Sequence, residues 1–215
     1  MIVAFDTYYY NGFSHTVGGV FENWTDKEVK YFVTSKRECI DAEYIPGQLY
    51  KRELPCIMQC LNMLDLDEID TIIVDSFVWL TTNGSDLIPG LGMRLANKLY
   101  SEYDRNDITI VGIAKTSYHF TIPTSVEIKR GESKSPLYIT CSNVDATKKY
   151  ASLVEKMYGA NRLPDIIKAV DSKTRDESTI GNKSKPKNKT YHIMTTEEWV
   201  KLGKPTNCGL YVEDK

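Results

Sequence analysis

The sequence predicts an α/β fold in which helices cover the faces of a mixed β-sheet. Three observations indicate this fold: the chain opens with strand-like segments, its later segments alternate between strands and helices, and two of the later strands are short and continuously apolar. Continuously apolar strands are typical of the covered, parallel centre of a sheet. The chain has 215 residues, 41% hydrophobic and 26% charged, which suits one globular domain of this kind.

The first segments are expected to form three antiparallel strands and a helix. Residues 2–9 and 13–21 are rich in β-branched and aromatic residues and flank a glycine turn, as in a hairpin. Residues 28–34 follow another turn signal and are predicted as the third strand. After Pro46-Gly47, apolar residues recur at helical spacing as far as about residue 64.

The chain then continues with alternating strands and helices and ends in a polar tail. The expected elements are a strand at 71–74, a loop at 85–89, a helix at 90–103, a strand at 107–114, a hairpin of 121–128 with 137–141, and a helix at 144–158. Residues 172–188 are mostly polar and offer little to bury, so we expect a mobile loop there, followed by a short extension that packs back. The predicted domain spans residues 1–171, with residues 172–215 as a Lys-rich appendage.

Charge and cysteine content narrow the possible classes. The net charge of −2 combines a body, residues 1–172, with 18 basic and 23 acidic residues and a tail, residues 173–215, with nine basic and six acidic residues. An acidic body argues against nonspecific wrapping of nucleic acid, but not against a local site with bound cations. The tail lysines are better explained as a solvated loop than as phosphate contacts. Five scattered cysteines without a C-x-x-C pair favour reduced thiols over structural zinc.

Apolar runs and short motifs exclude further classes. The longest apolar runs have about five residues, and the first residues resemble neither a signal peptide nor a transit peptide, so we expect a cytoplasmic protein with no membrane partner. No obligate protein partner is predicted. The sequence has no G-x-G-x-x-G, P-loop or G-x-S-x-G motif, so it lends no support to dinucleotide enzymes, P-loop NTPases or α/β-hydrolases.

Two aspartates stand at the ends of apolar strands. Asp6 directly follows residues 2–5, and Asp75 directly follows residues 71–74. If those strands are neighbours, both side chains project from the same edge, where α/β sheets bind ligands. Two carboxylates held together need a cation, and oxygen ligands with few histidines favour Mg²⁺, with Mn²⁺ as a substitute. Glu53 would supply a third oxygen donor. Taken singly, each aspartate is better explained as a turn or cap residue.

The segment before Glu53 carries the most specific signal. Residues 44–55 read Tyr-Ile-Pro-Gly-Gln-Leu-Tyr-Lys-Arg-Glu-Leu-Pro, which resembles the Y-[IV]-P-G-x-L-x-F-R-E-x-P signature of the endonuclease V family, with Lys51 in place of Phe. Members of that family are DNA repair enzymes directed at deaminated bases. Further resemblances follow in chain order over residues 1–171, at Phe5-Asp6, residues 73–75, Gly90-Leu91-Gly92, residues 112–115 and residues 163–171.

This resemblance implies a ribonuclease H-like mixed sheet flanked by helices, an order of elements that many such domains share. The implied catalytic positions are the metal ligands Asp6, Glu53 and Asp75, with Asp171 near the metal and Lys115 near the cleaved strand. The implied substrate-binding positions, which include a wedge beside the deaminated base, are Tyr44, Ile45, Pro46, Gly47, Leu49 and Ser76. Apolar wedges unstack bases, and glycine allows close backbone approach. On their own, residues 44–47 would be a plain turn and Lys115 a solvated lysine.

The departures from the family lie near its base pocket. The family reads D-G-x-G and then H-P-R after its strand aspartate, whereas Asp75 is followed here by Ser76 and the bulky residues 77–79, and H-P-R is missing. The later S-x-G-H is replaced by residues 140–143, Thr-Cys-Ser-Asn. Phe77 and Trp79 either stack on a base or, more commonly for such residues, fill a core. We therefore expect hydrolysis to be kept and the preference for hypoxanthine to be weak.

The expected function is a metal-dependent endonuclease that hydrolyses phosphodiester bonds in single-stranded or distorted DNA or RNA, leaving 5′-phosphate and 3′-hydroxyl ends. One alternative is a structure-directed nuclease without inosine preference. Another is a non-catalytic nucleic-acid-binding protein on the same fold. The retained carboxylates count against the second alternative, because clustered negative charge alone repels phosphate.

Overall fold

A computed structural model describes residues 1–10, 12–38, 50–118 and 122–176. The strands are β1 (Ile2–Tyr10), β2 (Phe13–Phe21), β3 (Tyr31–Glu38), β4 (Thr71–Val74), β5 (Trp79–Thr81), β6 (Leu87–Pro89), β7 (Thr109–Ala114), β8 (Val126–Ile128) and β9 (Leu137–Cys141). The helices are α1 (Tyr50–Leu61), α2 (Leu91–Tyr103), α3 (Thr147–Lys156) and α4 (Asp165–Arg175). In the described part of the chain, no helix is long and apolar enough to cross a membrane.

Seven of these strands form one mixed sheet in the order β3-β2-β1-β4-β7-β9-β8, and β5 pairs with β6 in a separate two-stranded sheet. The central strands β1, β4 and β7 are parallel. The antiparallel strands β2 and β3 extend one side of the sheet, and β9 and β8 extend the other. This architecture confirms the predicted α/β class with a mixed sheet.

Alternation along the strands distributes the core between the two faces of the sheet. Val3 and Phe5 pack on the face covered by α1 and α2. Ile2 and Ala4 pack on the opposite face, against α3 and α4. Each strand of the centre therefore buries both of its faces, which explains why β4 and β7 are almost continuously apolar.

The register of the parallel strands brings the two strand-end aspartates to one edge. Phe5 of β1 lies opposite Val74 of β4, so Asp6 and Asp75 follow at the same end of adjacent strands. Val74 in turn lies opposite Gly112 of β7, which places Lys115 beyond that same end. The expected adjacency of the two aspartate-bearing strands is therefore observed.

Several boundaries differ from those predicted. The third strand begins at Tyr31 because the preceding turn is longer, with the Asp26 carboxylate accepting hydrogen bonds from the backbone of Glu22 and Asn23. Residues 87–89 are not a loop but the short strand β6. The sequence pattern missed this strand because three residues are too few to show alternation. The helix expected from residue 144 opens as a 3-10 turn before α3 begins.

The first residues of the predicted polar loop are helical. Residues 172–175 were expected to start a polar loop, but they form the last turn of α4. Thr174 in this turn is fully buried, and its carbonyl lies 2.8 Å from Nδ1 of the buried His15. The rest of the predicted appendage, residues 177–215, lies outside the described residues, as does the predicted wedge at residues 44–47 with Leu49.

Candidate active site

A cleft opens at the carboxyl edge of the central strands, between the sheet and α4. Three of its polar side chains lie on or directly after the central strands, on the sheet face that α4 covers, and the fourth comes from α4 itself. The floor of the cleft is apolar. The polar residues that line it are Asp6, Asp75, Lys115 and Asp171, and the apolar ones include Ala4, Ile73, Ile113, Leu163, Ile167 and Val170. The fold therefore brings together four of the five residues with a predicted catalytic role.

Asp6 and Asp171 form a hydrogen-bonded pair across the cleft. Burial, the charge of Asp75 and the hydrogen bond to Asp171 together raise the pKa of Asp6 to about 7. Burial works against ionisation of Asp171 too, but hydrogen bonds from Arg175 and Asp6 outweigh it and lower the pKa of Asp171. Arg175, at 3.0 Å from Asp171, favours the charged form of Asp171, whereas burial favours the protonated form of Asp6.

Asp75 is paired with Lys115. The ammonium of Lys115 lies 2.5 Å from Asp75 Oδ2, and both side chains are partly exposed. Burial alone would lower the pKa of Lys115, but the Asp75 carboxylate outweighs it and raises that pKa. Arg162 donates hydrogen bonds to the backbone carbonyls of Lys115 and Pro136, so the lysine stands on an anchored segment.

Glu53 approaches the cluster from α1, on the other face of the sheet. It is half-buried and is not one of the described residues that line the cleft. Burial raises the pKa of Glu53 to about 8, and the charges of Asp6 and Asp75 add to that rise. Glu53 therefore lies within electrostatic range of both aspartates.

The oxygen donors available to a divalent cation are the carboxylates of the cleft and of Glu53. Among the described residues, no group of three or more His, Cys, Asp or Glu side chains is arranged to hold a metal ion as it stands. Asp75 is turned towards Lys115, and Asp171 towards Arg175. The chemistry nevertheless fits a hard cation, because burial first and neighbouring carboxylate charges second raise the pKa values of Asp6 and Glu53, and a bound cation would offset both effects.

The loop that follows Asp75 is held by close backbone contacts. A Cβ on Gly112 would come within 2.3 Å of the Ser76 carbonyl, and a Cβ on Gly90 would come within 2.7 Å of the Phe77 carbonyl. The amide of Val78 donates to Thr140 Oγ1 at 2.8 Å, and its carbonyl accepts from Gly90 at 2.9 Å. The small residues of the Gly90-Leu91-Gly92 motif are therefore needed for packing against this loop.

The bulky residues after Ser76 do not fill the cleft. Phe77 is buried in a small core with Leu80, Ala114 and Ile122, and Val78 is fully buried. Trp79 packs against this core, and its indole N–H donates to the Cys141 carbonyl at 3.0 Å. Of the two interpretations of Phe77 and Trp79, the structure supports the core and not the base-stacking one. Ser76 is half-exposed beside Asp75.

Two arginines at the site were not predicted from the sequence. Arg175 binds Asp171, and its position four residues later on the same helix is a signal that could have identified it. Arg162 supports Lys115 through backbone carbonyls, a role that leaves no pattern in the sequence. The predicted substrate-binding residues Tyr44, Ile45, Pro46, Gly47 and Leu49 lie outside the described residues and stay predictions.

No family model and no curated protein sequence matches the chain. Several solved structures are similar to the chain in their fold. Endonuclease V of Ciona intestinalis, in complex with a 24-mer DNA containing an inosine followed by a ribo-adenosine, is 17% identical with a TM-score of 0.63, over 84% of this chain and 87% of that one. Endonuclease V of Bacillus subtilis is 20% identical with a TM-score of 0.59, over 84% and 80%. The catalytic domain of human endonuclease V is 18% identical with a TM-score of 0.58, over 84% and 82%.

Fold and site together describe an α/β protein with a ribonuclease H-like mixed sheet and a carboxylate-lined cleft at the edge of its parallel strands. Within that class the chain has an endonuclease V-like fold. At identities of 20% or less, this likeness describes the fold.

Proposed function

We propose that the protein is a divalent-metal-dependent endonuclease that hydrolyses phosphodiester bonds in single-stranded or distorted nucleic acid. The observation that carries the proposal is the meeting of Asp6, Asp75 and Asp171 in one cleft with Glu53 close behind them. Ion pairs account for only two of its carboxylates, Asp75 and Asp171, whereas Asp6 and Glu53 are held with raised pKa values. Residues with such environments are typical of sites that do chemistry.

Asp6, Glu53 and Asp75 would hold the ion, with Asp171 beside it. When bound, Mg²⁺ or Mn²⁺ supplies a Lewis acid that activates water and neutralises charge on the phosphate. Arg175 fixes the orientation of Asp171 through its ion pair. Lys115, the cation beside Asp75, would contact the phosphate of the bound strand. The proposed products carry a 5′-phosphate and a 3′-hydroxyl.

The substrate class follows from the shape and charge of the site. The endonuclease V of Ciona intestinalis was crystallised with inosine-containing DNA, and we carry over nucleic acid as the substrate class for this chain. We expect little preference for inosine, since Ser76 adds a side chain beside Asp75 where the family has glycine. DNA and RNA strands are both candidates.

A nicking assay tests the proposal. Labelled single strands that contain inosine, uracil or only undamaged bases are incubated with the full chain in Mg²⁺, in Mn²⁺ and in EDTA. We expect cleavage in either metal, none in EDTA, and 5′-phosphate ends on the products. Binding of the same strands without cleavage in any metal would contradict the proposal and favour a non-catalytic binding protein.

A further inference from the structure

Strand β1 continues for four residues beyond Asp6, and this extension contains three consecutive tyrosines. Side chains alternate between the faces of a strand, so Tyr8 and Tyr10 lie on the same face as Asp6 and α4. At about 3.4 Å per residue, Tyr8 follows Asp6 by about 7 Å and Tyr10 by about 14 Å along the strand. The extension therefore leads directly away from the carboxylate cluster.

The neighbouring strands add to the same face. Tyr10 lies opposite Phe13, Tyr8 lies opposite His15, and His15 lies opposite Lys36. Residues that oppose each other in an antiparallel pair share a face. His15 is buried beneath the end of α4, but Phe13 is 37% exposed. We call the surface formed by Tyr8, Tyr10, Phe13, Lys36 and Arg175 the tyrosine face.

The rings and cations of the tyrosine face are already ordered. The rings of Tyr8 and Tyr10 are close to parallel, at 21°, with centroids 6.1 Å apart. The Arg175 guanidinium lies 4.7 Å from the Tyr8 centroid, and the Lys36 ammonium lies 5.0 Å from Phe13 and 5.4 Å from Tyr10. The side chain of Arg175 is 51% exposed, so its charge remains open to solvent. Aromatic rings and cations thus alternate on one partly exposed surface.

We propose that the tyrosine face binds the single-stranded nucleic acid that flanks the scissile phosphate. Bases stack on the tyrosine rings, and backbone phosphates contact Lys36 and Arg175. Two arguments favour this occupant. The body of the protein is acidic overall, so a polyanion is attracted only where cations gather. The face also begins two residues from Asp6, continuous with the cleft. This inference rests on the proposed function and adds a binding surface to it.

The first experiment measures binding without cleavage. Fluorescence anisotropy in EDTA follows a labelled strand of about 12 nucleotides bound by the full chain. Tyr10→Ala should weaken binding by about fivefold to a hundredfold, because a stacked base is lost. Tyr10→Phe, the matched control, keeps the ring and should bind like the wild type. Lys36→Ala should reduce the slope of log affinity against log salt by about 0.7, the contribution of one phosphate on a single strand.

A second measurement on the wild-type chain does not depend on a variant that folds. A strand containing 5-bromouracil is photo-crosslinked, and the modified peptide is identified by mass spectrometry. We expect adducts on Tyr8 or Tyr10. Unchanged affinity for Tyr10→Ala, or adducts only on other segments such as residues 177–215, would overturn the inference.

The outcome is separable from that of the proposed function. If the wild type fails to cleave in Mg²⁺ and Mn²⁺ but Tyr10→Ala still weakens binding, the nuclease proposal fails and the tyrosine face stands. If the wild type cleaves and Tyr10→Ala binds as tightly as the wild type, the tyrosine face fails and the nuclease proposal stands.

Discussion

Strand β4 has an aspartate at each end, and only Asp75 faces the cleft. Asp70, at the opposite end, is exposed and pairs with the N-terminal ammonium at 3.0 Å. The two residues therefore form a matched pair with the same side chain on the same strand. If only the Asp75 variant loses activity, the loss is due to a change in the site and not to general damage to the strand.

We expect Asp75→Asn to lower the nicking rate by at least about a hundredfold, since residues that merely support a metal ligand already contribute about tenfold to a hundredfold. Asp70→Asn should keep the wild-type rate. Both variants should melt near the wild-type temperature in circular dichroism, because neither change alters a buried apolar contact. Full activity of Asp75→Asn would refute its assignment to the site.

Ser76 is the residue on which base preference is expected to depend. Its backbone is held against Gly112, and its side chain is half-exposed beside Asp75. One added group in a tight pocket changes discrimination by about 1–3 kcal/mol, or about tenfold to two-hundredfold. We predict a weak preference of the wild type for inosine and a stronger one for Ser76→Gly.

The measurement for Ser76 compares cleavage rates on two strands that differ only by inosine. The same strands serve as the control for catalytic damage, since a rate that falls equally on both is not a change in preference. A wild-type preference for inosine well above a hundredfold would show that the serine is compatible with an intact base pocket.

At the scale of elements, the connection between α3 and α4 is built around Arg130. Its side chain is almost fully buried and donates hydrogen bonds to backbone carbonyls of Glu155, Met157, Gly159, Asn161 and Arg162. These bonds satisfy carbonyls at the end of α3 and in the following loop. Because α4 begins directly after this loop, Arg130 contributes to the position of Asp171.

We predict that Arg130→Ala lowers the free energy of unfolding by about 2–4 kcal/mol, since it leaves several carbonyls without their charged donor. Lys129→Ala, the adjacent exposed position, should change it by less than about 0.5 kcal/mol. Arg130→Lys should recover only part of the loss, because an ammonium does not reproduce the planar fork of donors. Urea denaturation measures all three, and equal stability of Arg130→Ala and Lys129→Ala would contradict the prediction.

At the scale of the whole molecule, the crowded carboxylates link stability to pH. Burial raises the pKa of Glu53 from an ordinary 4.5 to about 8, and that of Asp6 from 3.8 to about 7. The folded state therefore binds these protons more tightly than the unfolded state does. Their contribution to stability is full below the unfolded values and is lost as the pH rises through about 7 to 8.

In EDTA, the stability of the wild type should therefore fall as the pH rises from about 5 to about 8, by up to about 1.4 kcal/mol per pH unit for each group, and level off above about pH 8. The melting temperature should follow the same course. Glu53→Gln should flatten that fall, because its side chain carries no proton to lose. Mg²⁺ or Mn²⁺ should raise the wild-type melting temperature most at the alkaline end. A pH profile in EDTA that is identical for wild type and Glu53→Gln would exclude this linkage.

Much of the fold could be predicted from local patterns. Alternation and apolar runs located β1, β2, β4, β7 and β9, and helical spacing located α1 and α2, because burial leaves a periodic record in the sequence. The short strands β5 and β6 and the helix α4 were not found in this way. Their formation depends on contacts with distant parts of the chain, such as that between Thr174 and His15.

For the candidate site, the sequence by itself determined which residues are candidates for chemistry, since Asp6 and Asp75 end apolar strands and Glu53 lies in a specific signature. Tertiary structure alone decided how those residues are paired. Lys115 reaches Asp75 across 40 positions of the chain, and Asp6 meets Asp171 from the far end of the domain. The tertiary structure also placed the Phe77 side chain in a small apolar core and not in the cleft. Pairing and burial depend on which strands and helices become neighbours, and no local pattern encodes that choice.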